Sequence, residues 1–425
     1  MRLQMIDPNL NFKCNSCTKC CDQPWRTVIE PEKVSALDQT DWEADFPALR
    51  GRELYRTVRI GGKTVHELGK GEGNRCVFLD TDGLCMIHKK LGYEAKPLMC
   101  RQFPFFAAST WDGDYVSANF GCPTIQRREG PPAAKQADEI AAVVPLSSVA
   151  YKPDAPLPLT PNLLIPQSAA RELRQLLTAI FNDDPNSTLS EQFALALTAF
   201  EKAIATPPEE LEQHIACGAL AAELNPGPLE PFASACDAPM QSRFLFAATL
   251  FPDTLPIDST ADLGFFRRMT LIPKLMTLAK MRGVYASRLL DGNVKVNELL
   301  DRPADLRLTP EAVPLLRRYL RSRLWQQFPS GTLLPIFSGF HQHILDFNAI
   351  MFFARARCLE KDKAEADLST VEHAVRLVEF HLANQQRLYT QVLKGWFRNA
   401  LGSLPLAWCS LRMMRCAPST VPANA

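Results

Sequence analysis

Cys14-Asn-Ser-Cys17-Thr-Lys-Cys20-Cys21 opens a segment that holds eight of the chain's 13 cysteines. Cys76, Cys85, Cys100 and Cys122 complete the set. Cys85 sits in Gly83-Leu-Cys85-Met-Ile-His88, and Cys100 in Pro97-Leu-Met-Cys100-Arg101-Gln-Phe-Pro104. The segment is little more than a quarter of the 425 residues, so chance does not gather the cysteines there. Two-residue spacers let successive thiolates turn toward one point. Bacterial ferredoxins use such a run on an iron–sulfur cluster, and zinc sites close a tetrahedron from a C-x2-C pair and a distant pair. The pattern therefore predicts zinc or iron, a [4Fe-4S] cluster included, with all eight cysteines as candidate ligands. Eight thiolates fill two four-thiolate sites, or one cluster with several thiols left free. Side chains of adjacent residues diverge, so one of Cys20 and Cys21 is expected to serve a second site or to pack. The metal's role stays open between chemistry and a structural staple.

Working outward, His88 lies three residues after Cys85 and is read either as a ligand or supporting donor, or as an ordinary histidine. Arg101 either offsets thiolate charge or makes a plain carboxylate pair. Around these motifs the pattern is loop-rich. A short strand is expected over Trp25 to Glu30, then a helix from Pro31 to about Leu37. A hairpin is expected from Arg56 to Leu68 turning at Gly61-Gly62, and a strand at Cys76 to Leu79. One or two helical turns run from Met86 to Leu91, and a second hairpin from Phe105 to Phe120. Gly69-Lys-Gly71-Glu-Gly73 is read as a turn, because no long strand and helix flank it as a nucleotide-binding loop requires.

Behind Cys122 the character changes. A helix is expected near Ala137 to Val144, and five prolines between Tyr151 and Pro166 predict an extended linker or strap. From Ser168 the periodicity is helical. Thr188-Leu-Ser-Glu191 and Ser369-Thr-Val-Glu372 read as capping boxes, and Thr309-Pro310 as a helix start. The expected fold is thus α-rich α+β, with a small cysteine-rich loop-and-hairpin metal module followed by a helical domain. The division is 1–130, a proline-rich linker 131–166, and 167–425.

With 47 Lys+Arg against 46 Asp+Glu, bulk charge gives no reason to expect nucleic acid or anionic lipid as a partner. No apolar run is long and uninterrupted enough to span a bilayer. No secretory leader is read at the N-terminus, so a cytoplasmic protein is expected, where clustered thiols bind metal rather than pair. His341 and His343, two apart, do not share a helix face and are read as ordinary histidines. Arg317, Arg318, Arg321 and Arg323 are read as a solvated face. Cys217, Cys236, Cys358, Cys409 and Cys416 are read as packing residues.

The ordered combination of Cys14-x2-Cys17-x2-Cys20-Cys21, Cys76, Gly83-x-Cys85-x-Ile87-His88 and Pro97-x2-Cys100-Arg101-x-Phe103-Pro104 resembles a bacterial cysteine-cluster family of zinc- or iron-chelating domains. The likeness covers roughly residues 12 to 125. It implies metal chelation through these cysteines. One branch of that family is flagellin lysine-N-methylase, which has a cysteine-rich front and a longer helical rear. That branch implies an iron–sulfur cluster, protein methyl transfer and flagellin as a protein substrate. A scaffold that binds a partner and keeps a purely structural metal is the remaining alternative.

Overall fold

The computed structural model describes residues 4–144, 155–250, 305–327, 334–382 and 394–418, apart from 24, 61–62, 185–186, 226, 228, 231 and 414, with scattered positions between 273 and 299. The described chain is α-rich with small sheets, as expected, and a cysteine-rich module precedes a helical region. It divides into two units: residues 1–107 with 116–146, and residues 108–115 with 147–425.

In the front unit, β1 (Gln4–Met5) and β2 (Val28–Ile29) are two-residue strands, and α1 (Pro31–Asp38) begins on the proline that marks it. A short helix α2 (Trp42–Asp45) follows, with Asp41 capping it through the Ala44 N–H. β3 (Tyr55–Ile60) and β4 (Lys63–Leu68) form the expected hairpin, whose turn lies outside the described residues. The sheet order is β2-β4-β3. Cys76 to Leu79 is not the expected strand. It is a turn pinned by single bridges, Lys70 with Cys76 and Leu79 with Cys85. Then come α3 (Met86–Leu91), closed by Gly92 at φ +87°, and α4 (Leu98–Gln102). β5 (Phe105–Thr110), β6 (Gly113–Ala118), α5 (Pro123–Arg127) and α6 (Ala137–Val143) complete this part of the chain. Ile29, Val34, Leu37, Trp42, Leu49, Leu68, Val77, Phe78, Met86 and Ile87 are buried together, with Cys76 and Cys85 packed on their flank. The front unit thus has an apolar core of its own beside the cysteines.

The rear unit opens on a hairpin, β7 (Leu157–Thr160) with β8 (Leu163–Ile165). Leu157, Leu159 and Ile165 are buried, so this part of the proline-rich stretch is paired rather than extended. Alternating apolar residues outweigh the prolines: Pro158 sits within β7 opposite Leu164, and Pro161 lies in the turn. α7 (Gln167–Ile180) and α8 (Leu189–Ala205) follow, the latter with the predicted Thr188/Glu191 capping box. Their target is a central helix, Ile336–Glu360, buried on almost every side. Phe193 and Phe200 of α8 meet Phe340 of that helix at 5.9 and 4.9 Å between ring centres. A helix buried on so many sides belongs in a core, and its buried polar residues need partners there. Among the described residues no helix is long and apolar enough to cross a membrane.

Two readings are corrected here. The helix Leu368–Leu377 is capped by Asp367, not by Ser369. The Asp367 carboxylate accepts the Thr370 N–H at 2.9 Å and the Ser369 hydroxyl at 2.9 Å. The arginine stretch on the helix Val313–Gln327 is not a solvated face. Arg317 and Arg323 are buried, and Arg317 donates to the carbonyls of Asp184 (2.6 Å) and Ser187. Arg323 lies between Asp346 at 3.6 Å and Glu379 at 3.7 Å. Arg321, more open, pairs with Asp183 at 3.2 Å.

Candidate metal centre

The loop from Cys14 to Cys21 is shaped by two left-handed residues, Ser16 at φ +57° and Thr18 at φ +65°. A turn closes on Thr18, whose carbonyl accepts the N–H of Cys21 at 2.7 Å while its hydroxyl donates to Asp22 at 2.8 Å. This tight turn brings the Cys20 and Cys21 sulfurs to 3.8 Å from each other. The expected divergence of the adjacent pair is therefore not what the backbone produces.

Other segments are stitched to this loop. The Cys76 N–H donates to the Cys21 carbonyl at 2.9 Å. Gly83, at φ +82°, comes so close that a Cβ there would lie 3.2 Å from the Ser16 carbonyl oxygen. Cys85 is the residue before the first turn of α3, Cys100 lies within α4, and Cys122 precedes α5. All eight cysteines are free thiols. Cys14 is exposed, Cys122 is buried, and the other six are half-buried.

Electrostatics tells which thiols face one another. The hydrogen bond within the adjacent pair holds Cys20 protonated and eases ionisation of Cys21. Burial opposes the second effect, and Lys96 and Lys70 assist it. Burial pushes the Cys76 thiol up to about 11, with Cys21 and Cys85 adding to the rise. Burial likewise pushes Cys100 up to about 12, reinforced by Cys76, Cys21 and Cys85. Cys14 acts on Cys20 as well. Cys122 is raised by burial and senses Cys17, and its sulfur lies 3.1 Å from the Thr124 hydroxyl. The thiols thus fall into a larger neighbourhood of Cys14, Cys20, Cys21, Cys76, Cys85 and Cys100, and a smaller one of Cys17 and Cys122.

Among the described residues, no three Cys, His, Asp or Glu side chains already stand as a coordination shell. The donor chemistry nevertheless fits a thiophilic ion. Thiols crowded and buried in this way resist ionisation on their own, and a cation among them reverses the balance.

His88 is exposed and packs edge-on against Tyr93, with ring centres 5.9 Å apart. It takes the ordinary histidine reading. Arg101 pairs with Glu94, the plainer of its two readings. The cations that act on the thiols are Lys70 and Lys96, which the motif reading missed. Lys96 directly precedes the Pro97-x2-Cys100 motif, and Lys70 lies in the glycine-rich turn that bridges to Cys76. Both were visible as basic residues flanking cysteine motifs.

In the rear unit, His341 and His343 are buried, as are Arg355 and Cys358. Cys409 is half-buried, whereas Cys217 is exposed and donates weakly to the His214 carbonyl, which corrects its reading as a packing residue. The side chains of Cys236 and Cys416 lie outside the described residues.

Comparison with known proteins falls on the same front segment. An uncharacterized protein of Methanocaldococcus jannaschii is 34% identical over 105 residues, which are 24% of this chain and 33% of that protein. The matched part thus spans about a third of the relative's length. No solved structure matches. Residues 13–123 match the model of the CxxCxxCC family, described as a "Putative zinc- or iron-chelating domain", and the front module is of that family.

Proposed function

We propose that the front module binds zinc or iron through its thiolates and that this is the protein's central chemical property. The observation that carries the reading is the larger thiol neighbourhood. Cys20, Cys21, Cys76, Cys85 and Cys100, from four separate stretches of chain, lie within electrostatic reach of one another. Four of these, with Cys14 as a further donor, hold the ion. Cys17 and Cys122 supply a second, smaller thiol pair. Four thiolates suit either tetrahedral zinc or a [4Fe-4S] cluster. Lys70 and Lys96 offset part of the charge that four thiolates leave on either group. A reducing compartment, the cytoplasm, keeps such thiols available.

The test is anaerobic purification followed by measurement of zinc, iron and acid-labile sulfide and a visible spectrum. Iron with sulfide and absorption near ~400 nm identifies a cluster, and zinc without colour identifies closed thiolate sites. Protein carrying neither, even after reconstitution, overturns the reading. Cys76→Ser and Cys100→Ser are expected to lose metal, while Cys217→Ser keeps it.

Methyl transfer to a flagellin lysine is the finer reading that the family resemblance implies. Its support is the cysteine-rich front joined to a longer helical rear. Metal-loaded protein incubated with a labelled methyl donor and purified flagellin tests it, and absence of transfer ends it.

A further inference from the structure

The β3 strand covers β4 along its whole length, but β2 covers it only at Glu67 and His66. On the β2 side, Leu68 donates its N–H to the Thr27 carbonyl at 2.9 Å. Residues of an antiparallel strand alternate the edge to which their N–H and C=O point. His66 and Thr64 therefore face the same edge as Leu68. Ile29 pairs with His66, so the residue in register with Thr64 is Pro31. Pro31 has no N–H and already starts α1. Thr64 is exposed, and among the described residues no strand meets it on this edge.

A cavity of about 380 Å³ opens beside that edge, with Ile29, Glu30, Val65, Leu98 and Met99 among its walls. This is at the small end of the range for ligand sites and suits an apolar side chain with its adjoining backbone. Met99, although large and apolar, is 44% exposed. Glu30 accepts the Leu98 N–H at 2.7 Å through one oxygen. The other is buried without a hydrogen bond, 3.8 Å from the Lys33 ammonium. Lys63 stands exposed at the start of β4, without a carboxylate partner among the described residues.

We propose that this edge docks an extended segment of a partner protein. The segment adds a strand to β4 at Thr64, sends one apolar side chain into the cavity and sets an acidic residue beside Lys63. Main-chain hydrogen bonds then supply affinity and the cavity supplies selectivity. A second copy of the chain is the poorer occupant, because pairing two such edges brings two Lys63 ammoniums within neighbouring rungs of one ladder. Docking at this edge needs no bound metal. Met99 immediately precedes Cys100, so the occupant lies beside the thiol cluster.

Fluorescence polarisation with labelled nonapeptides tests this on the full chain. The probes carry central Leu, Met or Phe with a flanking Asp, against central Ala or flanking Lys controls. Thr64→Pro removes the outward N–H at a position of β4 that β2 does not cover, where no ladder hydrogen bond to a described strand is lost. It is expected to weaken the best peptide at least tenfold. Lys63→Glu is expected to invert the preference from flanking Asp to flanking Lys, and Met99→Lys to abolish the preference for a large central residue. Metal content and far-UV circular dichroism, read on the same samples, stay at wild-type values. The proposal falls if no peptide saturates, or if Thr64→Pro binds as well as wild type. It also falls if Thr64→Pro instead abolishes self-association, which would make the occupant a second copy. A protein without metal that still binds peptide would remove the chelation reading and leave this one standing.

Discussion

Gly83→Ala is the substitution that separates the architecture of the cysteine site from its chemistry. Gly83 has φ +82°, where an alanine costs about 1–2 kcal/mol. Its added Cβ would also stand 3.2 Å from the Ser16 carbonyl oxygen and 3.4 Å from the Thr18 Cγ2. Ser16 lies between Cys14 and Cys17, and Thr18 between Cys17 and Cys20, so relieving the contact moves the ligand loop by a few tenths of an ångström. Disturbing what orients metal ligands typically lowers affinity by about 10–100-fold. Gly73→Ala is the matched control. Gly73 has φ +66°, and nothing lies within 4 Å of its would-be Cβ. It bears the same backbone strain without touching the loop. Competition with a coloured chelator under anaerobic conditions should show a loss of about tenfold or more for Gly83→Ala. Gly73→Ala should lose less than about twofold, with unchanged circular dichroism for both, because its strain falls on the fold rather than on ligand placement. Equal losses in the two variants, or wild-type affinity in Gly83→Ala, would refute the idea that this approach positions the cysteines.

Arg174 is buried against Trp325 (4.0 Å to the ring centre) and Trp111 (5.0 Å), and pairs with Asp112 at 2.5 Å. Arg174→Ala is expected to cost about 1.5–3 kcal/mol, because Arg171 at 3.5 Å and the Thr110 hydroxyl still hold that carboxylate. Hydrogen exchange of α7 reads the loss, and an effect that Asp112→Ala does not partly cancel would argue against the pair. His341 is pushed down to about 4 by burial, against its bond to the Leu401 carbonyl at 3.1 Å; Ser410 Oγ lies 3.0 Å from its other nitrogen. Above pH ~6.5 the ring is neutral folded or unfolded; as pH falls toward 4 only the unfolded chain takes the proton. This removes about 3 kcal/mol of stability. Ring nitrogen resonances should stay neutral at pH 5, and a midpoint near ~6.5 would contradict the burial. Asp367→Ala should destabilise the helix Leu368–Leu377 by about 1 kcal/mol, whereas Ser369→Ala, if Ser369 were the cap, would cost as much.

The front module was legible where local chemistry decides. Pro31 and Gly92 each punctuate an element through a backbone preference that needs no distant partner, whereas the second hairpin, expected to turn at Asp112-Gly113, turns one residue earlier at Trp111-Asp112. The eight cysteines stood out by clustering alone. Their grouping did not, because the approach of Cys20 to Cys21 depends on two left-handed residues, Ser16 and Thr18, neither of them glycine. The Cys76 to Leu79 stretch misled for a related reason. Its apolar composition suits a strand, but its bridges go to Lys70 and Cys85, so it is bent by its neighbours rather than extended by propensity.

The rear unit shows the opposite failure. Its capping box at Thr188 and the apolar face of Phe193, Leu197 and Phe200 follow from helical periodicity. The arginines of Val313–Gln327 invert the same logic, because periodicity assigns charge to solvent while tertiary structure supplies Asp346 and Glu379 to Arg323. Those carboxylates lie in sequence 23 and 56 residues beyond Arg323, on two other helical segments, where no local pattern connects them. Burial alone would raise the Asp346 carboxyl, and Arg323 opposes that rise. Removing Arg323 would therefore take from two core carboxylates a cation that both face, a change that costs more than loss of an exposed arginine. A charged side chain on a helix otherwise rich in leucine is thus better read as a question about its partner than as a marker of the surface.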